Sequence, residues 1–167
     1  MLLSGRETET WSLNNTVNFT GDTSTDNIPG DGAFADVNGN RSLRAAINEA
    51  NAHQGVDVIQ LAPGTYTLSL DGQFEDEGLT GDLDIREALT IRGMGATASD
   101  TVIDAAQIDR VFHVFPGVEL TLQNLTIQGG EAFDGAGIFI EGTTTSTGIS
   151  SAVKRKGYCP QRKHHRQ

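Results

Sequence analysis

Carboxylates are the main chemical resource of this chain, which has 22 Asp and Glu among 167 residues. The stretch Asp71–Asp82, DGQFEDEGLTGD, concentrates them. Asp71, Glu75, Asp76 and Asp82 could offer oxygens to Ca2+, the one cofactor this composition suggests, because hard cations take clustered oxygen ligands. The plainer reading of the same residues is a solvated insertion, and that is the expectation. A second run, Asp36-Val-Asn38-Gly-Asn40-Arg-Ser42, carries side-chain oxygens at alternate positions, like an EF-hand loop. Its twelfth position is Ile47 instead of Glu, and Ser42 is wanted as a helix cap, so no ion site is expected there. Asp82 and Asp84 flank a single residue and share a strand face, where carboxylates ordinarily serve solvation. Asp109-Arg110 suits a corner ion pair. His113, between Phe112 and Val114, reads as an exposed strand position before it reads as a catalytic base. No catalytic or cofactor-binding residue is assigned, and metal ligands stay unassigned.

These groups need a frame, and Ser42–Ala52 anchors it. Leu43, Ala46, Ile47 and Ala50 fall at helical spacing and share a face. Arg44, Asn48, Glu49 and Asn51 point elsewhere, toward water in the simplest arrangement. Ser42 is a favourable N-cap, and Gly55 stands where a left-handed C-terminal residue would end the helix. So short a helix needs a surface to lie on.

The rest reads as short strands: Thr16–Thr20, Val56–Leu61, Thr65–Leu70, Leu83–Ile85, Leu89–Arg92, Thr101–Asp104, Val111–Phe115, Val118–Gln123, Leu125–Ile127 and Gly137–Ile140. The segment Leu89-Thr-Ile-x-Gly returns as Leu125-Thr-Ile-x-Gly, and similar spacings link Val102 to Leu125 and Val111 to Ile138. Several short strands per repeat of twenty-odd residues predict an all-β, parallel solenoid, a stack of coils with inward side-chain ladders. An antiparallel sandwich, the competing architecture, would favour longer strands and tight hairpins. The amphipathic helix would then cover the open N-terminal end of the core.

Charge is divided unevenly. Residues 1–152 hold all the carboxylates and six Arg, whereas residues 153–167 hold three Lys, three Arg and no acid. An acidic body argues against nucleic-acid binding, which needs clustered cations. Nothing approaches the length of a membrane span. No signal peptide is visible, because Ser4, Gly5, Arg6 and Glu7 interrupt the apolar start. Cys159 is the only cysteine and leaves no intrachain disulfide. The expected organisation is a disordered segment 1–15, a folded unit 16–142 and a disordered basic tail 143–167. A shifted reading frame or truncation near residue 143 would explain the abrupt change. Asn14, Asn18, Asn40 and Asn124 head N-glycosylation sequons, relevant only in a eukaryotic secretory host.

Several spaced motifs occur together and in order: PGDGAFADVNGNRSLRAAINEAN (Pro29–Asn51), PGTYTL, GDLDI, LTIRGMGA, DRVFHV and LTLQNLTIQGG. Across residues 16–142 they resemble the CSLREA-type domain of bacterial secreted and surface proteins, and also the repeats of polymorphic outer-membrane, adhesin-like proteins. The resemblance implies a right-handed parallel β-helix of the pectin-lyase-like type. This chain would hold its N-terminal coils only, about three, capped by one short α-helix, with further coils missing. It implies a secreted or cell-surface setting, polysaccharide or cell-envelope partners, and a structural or adhesive role without catalysis. The alternative it implies is a polysaccharide lyase or hydrolase with an incomplete catalytic region. In that case Asp82, Asp84, Asp104, Asp109, Arg110 and His113 would be candidates for holding Ca2+ or taking a proton. The family pattern has a Cys pair where this chain has Phe34 and Arg41, so the cap would be held by packing alone.

Overall fold

The computed structural model of the protein describes residues 16–23, 26–72, 75–132 and 137–152. They form strands with one short helix. In chain order these are β1 (Thr16–Val17), α1 (Leu43–Ala52), β2 (Asp57–Leu61), β3 (Gly64–Thr67), β4 (Leu83–Ile85), β5 (Leu89–Gly93), β6 (Thr101–Asp104), β7 (Phe112–Val114), β8 (Glu119–Gln128), β9 (Ile138–Ile140) and β10 (Thr143–Ala152).

Every pairing is parallel, as expected when short strands return to the same face after a connection. Seven strands make one sheet and β4-β7-β9 make a second. The larger sheet curls like a half-barrel because β8 serves two neighbours in succession. Leu120 and Leu122 lie beside Leu89 and Ile91 of β5, and Thr126 and Ile127 lie beside Val102 and Ile103 of β6. The change of direction falls at Asn124, whose φ of 49° is left-handed. Asn tolerates that region better than most residues. Its side-chain N–H donates to Gly93 O and Gly95 O at 3.1 and 2.8 Å. In β10 the same corner is taken by Gly148, φ 63°.

Side chains of like position stack in ladders: Ile59-Ile91-Leu122, Tyr66-Ile103-Ile127, Leu83-Phe112-Ile138 and Ile85-Val114-Ile140. Apart from Ile140, which is exposed, these ladders and the apolar face of α1 form one core, with Ile138 packed at its edge. The register corrects the repeat read from sequence. Leu89 pairs with Leu120, so the second Leu-Thr-Ile segment lies on the other limb of β8, and the recurrence is not one structural repeat.

The expected break at residue 143 is also corrected for part of its length. Thr143–Ala152 is a strand, in register with β8 from Thr143–Glu119 to Ala152–Gln128. Its low-complexity Ser/Thr composition is compatible with a strand because Thr is β-branched and the register is already templated by β8. What stops is the apolar ladder, since Thr144 and Ser146 follow Leu120 and Leu122. The segments 1–15 and 153–167 lie outside the described residues. Among the described residues, no helix is long and apolar enough to cross a membrane.

Helix α1 starts as its sequence requires, with Ser42 Oγ accepting from Ala45 N–H at 3.1 Å. It ends differently. His53 is the C-cap in extended conformation, its N–H donating to Ala50 O, and Gly55, with a positive φ of 138°, turns the chain two residues beyond the cap. Leu43, Ala46, Ile47 and Ala50 face the core as expected. Full burial of a Leu or Ile side chain contributes about 1.5–3 kcal/mol.

Candidate functional site

The other side of α1 departs from expectation. Arg44 and Glu49 do not face water, being 1 % and 0 % exposed. Arg44 Nε and Nη2 donate to the two carboxylate oxygens of Asp22 at 2.7 and 3.0 Å. Its remaining N–H groups reach Gly78 O, Gly81 O and Asp82 O at 3.0, 2.8 and 3.1 Å. Asp22 in turn accepts from Ser69 N–H and Leu70 N–H. A planar guanidinium with five fixed donors is suited to such a hub. Glu49 accepts from Gly30 N–H and Gly32 N–H, both at 2.5 Å, and lies 2.8 Å from His53 Nε2. Gly30 and Gly32 adopt φ of 93° and 84°, which turn their N–H groups onto the carboxylate without Cβ strain.

Arg44 thereby holds the 75–82 segment against the helix and over β4, and the solvated insertion becomes a lid. Glu75 stabilises the lid from within, accepting from Glu77 N–H and Thr80 N–H. Gly78 N–H donates to Asp84 Oδ2 at 2.7 Å. The carboxylates at and just before β4 therefore do not serve solvation: Asp82 is 3 % exposed and Asp84 0 %.

Beneath the lid, β4 and β7 bring Asp84 and His113 into the same ladder position. His113 Nδ1 is 3.3 Å from Asp84 Oδ1 and 3.7 Å from Asp76 Oδ1, and Nε2 is 3.0 Å from Glu141 Oε2. The imidazole is buried beside Phe115 and Phe139, with ring centroids 4.2 and 5.3 Å away. The exposed position expected for His113 is thus corrected. Next to it Arg110 Nε lies 2.7 Å from Asp82 Oδ2 and 3.7 Å from Asp109 Oδ1. The corner ion pair is present, with Asp82 its closer acid. The Asp82–Arg110 contact lacks hydrogen-bond alignment and is held as a close charge pair. Burial pushes Asp82 up to about 6 and Asp109 adds to it, while Arg110 and His113 oppose. Burial, then the Asp82 charge, pushes Asp84 up to about 7, against the Gly78 hydrogen bond and His113.

Four of the five Asp and Arg candidates therefore gather with His113, namely Asp82, Asp84, Asp109 and Arg110. Asp104 does not. It sits on β6 and accepts from Ala106 N–H and Gln128 Nε2–H. The Ca2+ set Asp71, Glu75, Asp76 and Asp82 does not converge: Asp71 is exposed, Glu75 is used by the lid, Asp82 faces Arg110 and Asp76 turns to His113. In the 36–42 run, Asp36 accepts from Asn38 N–H, Asn40 N–H and Asn40 Nδ2–H, forming a turn that leads into the Ser42 cap. Asp26, Asp31 and Glu49 form another gathering, in which the Glu49 oxygens are already engaged by backbone N–H groups. Glu141 was not singled out from sequence, because nothing local marks the residue after β9 as facing His113.

No family model, no curated protein and no solved structure matches this chain.

Proposed function

We propose that the chain is the N-terminal part of a right-handed parallel β-helix from a secreted or cell-surface protein, with a structural or adhesive role toward polysaccharide or other envelope components. The observation that carries it is the common parallel register of Leu83-Phe112-Ile138, Ile59-Ile91-Leu122 and Tyr66-Ile103-Ile127 on three faces around one core. Stacked repeats of this kind present long flat faces suited to extended ligands. The motif resemblance also gains a physical reading. Ser42 caps the helix, Leu43 enters the core and Arg44 makes the hub, so each residue of the Ser-Leu-Arg motif has its own role. Phe34 and Arg41, which stand where the family pattern has cysteines, are neighbours: the Arg41 guanidinium lies 5.1 Å from the Phe34 ring centroid. A cation–π contact there would replace a covalent link.

The lyase alternative is favoured by the gathering of Asp82, Asp109, Arg110 and His113. Against it, the Arg110 guanidinium is already engaged by Asp82 and Asp109, at 2.7 and 3.7 Å. The two readings separate in a sedimentation assay with insoluble acidic and neutral polysaccharides, with the supernatant followed for unsaturated sugar products in the presence of Ca2+. Saturable association without product is expected. Product formation would establish the lyase, and absence of any saturable association would reject the adhesive role.

A further inference from the structure

We infer that Asp84, His113 and Asp76 are ligands for a borderline divalent cation of the Zn2+ class, with Glu141 orienting the histidine. The ligand atoms Asp84 Oδ1, His113 Nδ1 and Asp76 Oδ1 all lie within 4.8 Å of one another. In a tetrahedral zinc centre with bonds of about 2.0–2.1 Å, ligand atoms are about 3.3 Å apart. The histidine nitrogen is 3.3 Å from Asp84 and 3.7 Å from Asp76.

A second observation, independent of the clustering, points the same way. Asp84 Oδ1 is fully buried, accepts no hydrogen bond and is aimed at the imidazole. Glu141 Oε2 lies 3.0 Å from His113 Nε2, the placement of an outer partner that would orient the ring with Nδ1 toward the ion. Nδ1 is then the nitrogen available as a ligand, 3.3 Å from Asp84 Oδ1 and 3.7 Å from Asp76 Oδ1. A cation held between Nδ1 and the two carboxylates would satisfy the buried Asp84 oxygen. A carboxylate–histidine–metal relay supplies it, and its fourth position, toward the exposed Asp76 side, would take water. One nitrogen and two carboxylates suit Zn2+ and its neighbours better than Ca2+, which takes six to eight oxygens. Asp82 adds negative charge nearby. Its charge is balanced by Arg110 across the site, which leaves the three ligands and Glu141 net anionic.

The bound ion would tie the lid to β4 and β7. It is therefore measurable in two ways, by calorimetric titration with Zn2+ alone and by thermal unfolding with and without Zn2+. The full chain should carry Cys159→Ser, His164→Ala and His165→Ala, which removes the competing ligands of the C-terminal segment. The expected result is one Zn2+ per chain, a raised unfolding temperature, and no displacement by Ca2+ or Mg2+. Asp76→Asn and Glu141→Gln alter side chains that are 66 % and 44 % exposed, so both variants should fold. Each should weaken Zn2+ binding on the order of tenfold or more. His113→Gln should abolish it. Absence of Zn2+ binding would make His113 a plain ion-pair partner and overturn the inference. Binding unchanged in Asp76→Asn and Glu141→Gln would also overturn it, by placing the ion elsewhere.

Discussion

Arg44 is the residue on which the most structure depends. Its partners come from the segment before the helix and from the lid, and every one of its bonds is sheltered from water. Breaking one member of a buried ion pair costs about 3–5 kcal/mol because the other charge is left uncompensated. Arg44→Met should therefore lower stability by about that amount in urea unfolding, and Arg44→Lys should recover little, since a point charge cannot span both Asp22 oxygens and three carbonyls. If Asp22→Asn combined with Arg44→Met is as unstable as the single Arg44 variant, the carbonyl contacts outweigh the ion pair. Sequence periodicity placed Arg44 and Glu49 on the solvent side of α1, which was geometrically right relative to Leu43 and Ile47. It could not show that polar loops fold over that side, because such a cover leaves no hydrophobic signal. The burial of Asp84 was hidden for the same reason.

Among elements, the strands were the most legible. Alternation reports which face is buried, and Thr101–Asp104 and Leu83–Ile85 appear with the bounds expected. β3 stops at Thr67, short of the expected Leu70: Leu68 is buried beyond its end while its N–H donates to Asp104 O outside regular pairing. β10 was missed because its register comes from β8 and its own composition carries little pattern. Helix α1 was found from its apolar spacing, and that spacing also makes it testable. Leu43→Asp or Ile47→Asp places an unpaired charge among buried apolar side chains, at 3 % and 1 % exposure. Each should cost more than about 3 kcal/mol. Urea midpoints equal to the parent's would mean that the helix does not cap the core.

At the scale of the molecule, acidic surplus and burial combine into an unusual pH response. Asp82 and Asp84 are pushed up to about 6 and about 7, and burial also raises Asp26 and Asp57. Asp36 moves the other way: burial opposes its ionisation, but hydrogen bonds from Asn40 and Asn38 prevail and lower it. A carboxyl whose folded pKa exceeds its unfolded value stabilises the fold fully below the unfolded value, 3.8 here. That contribution is lost as pH rises through the folded value. With chelator present, the urea midpoint should fall between about pH 4 and pH 7, and Asp82→Asn should flatten the decline. A midpoint that rises over this interval would contradict the assignment of these groups.

The hub at Arg44 also bears on the order in which the chain can organise itself. Its partners are 22 to 38 residues away along the sequence, so none of its bonds can form until long loops have closed. The parallel ladders are equally non-local, and the lid has no fixed place until β4 lies beside β7. The hub is expected to close on strands already paired, because it needs the Asp22 segment, α1 and the lid together. Contacts made after the barrier to folding leave the forward rate nearly untouched and act by retarding escape from the native state. A clamp closed after that barrier is a latch: Arg44→Met is expected to speed unfolding while leaving the refolding rate nearly unchanged in urea-jump kinetics, and an equal slowing of refolding would place the clamp earlier.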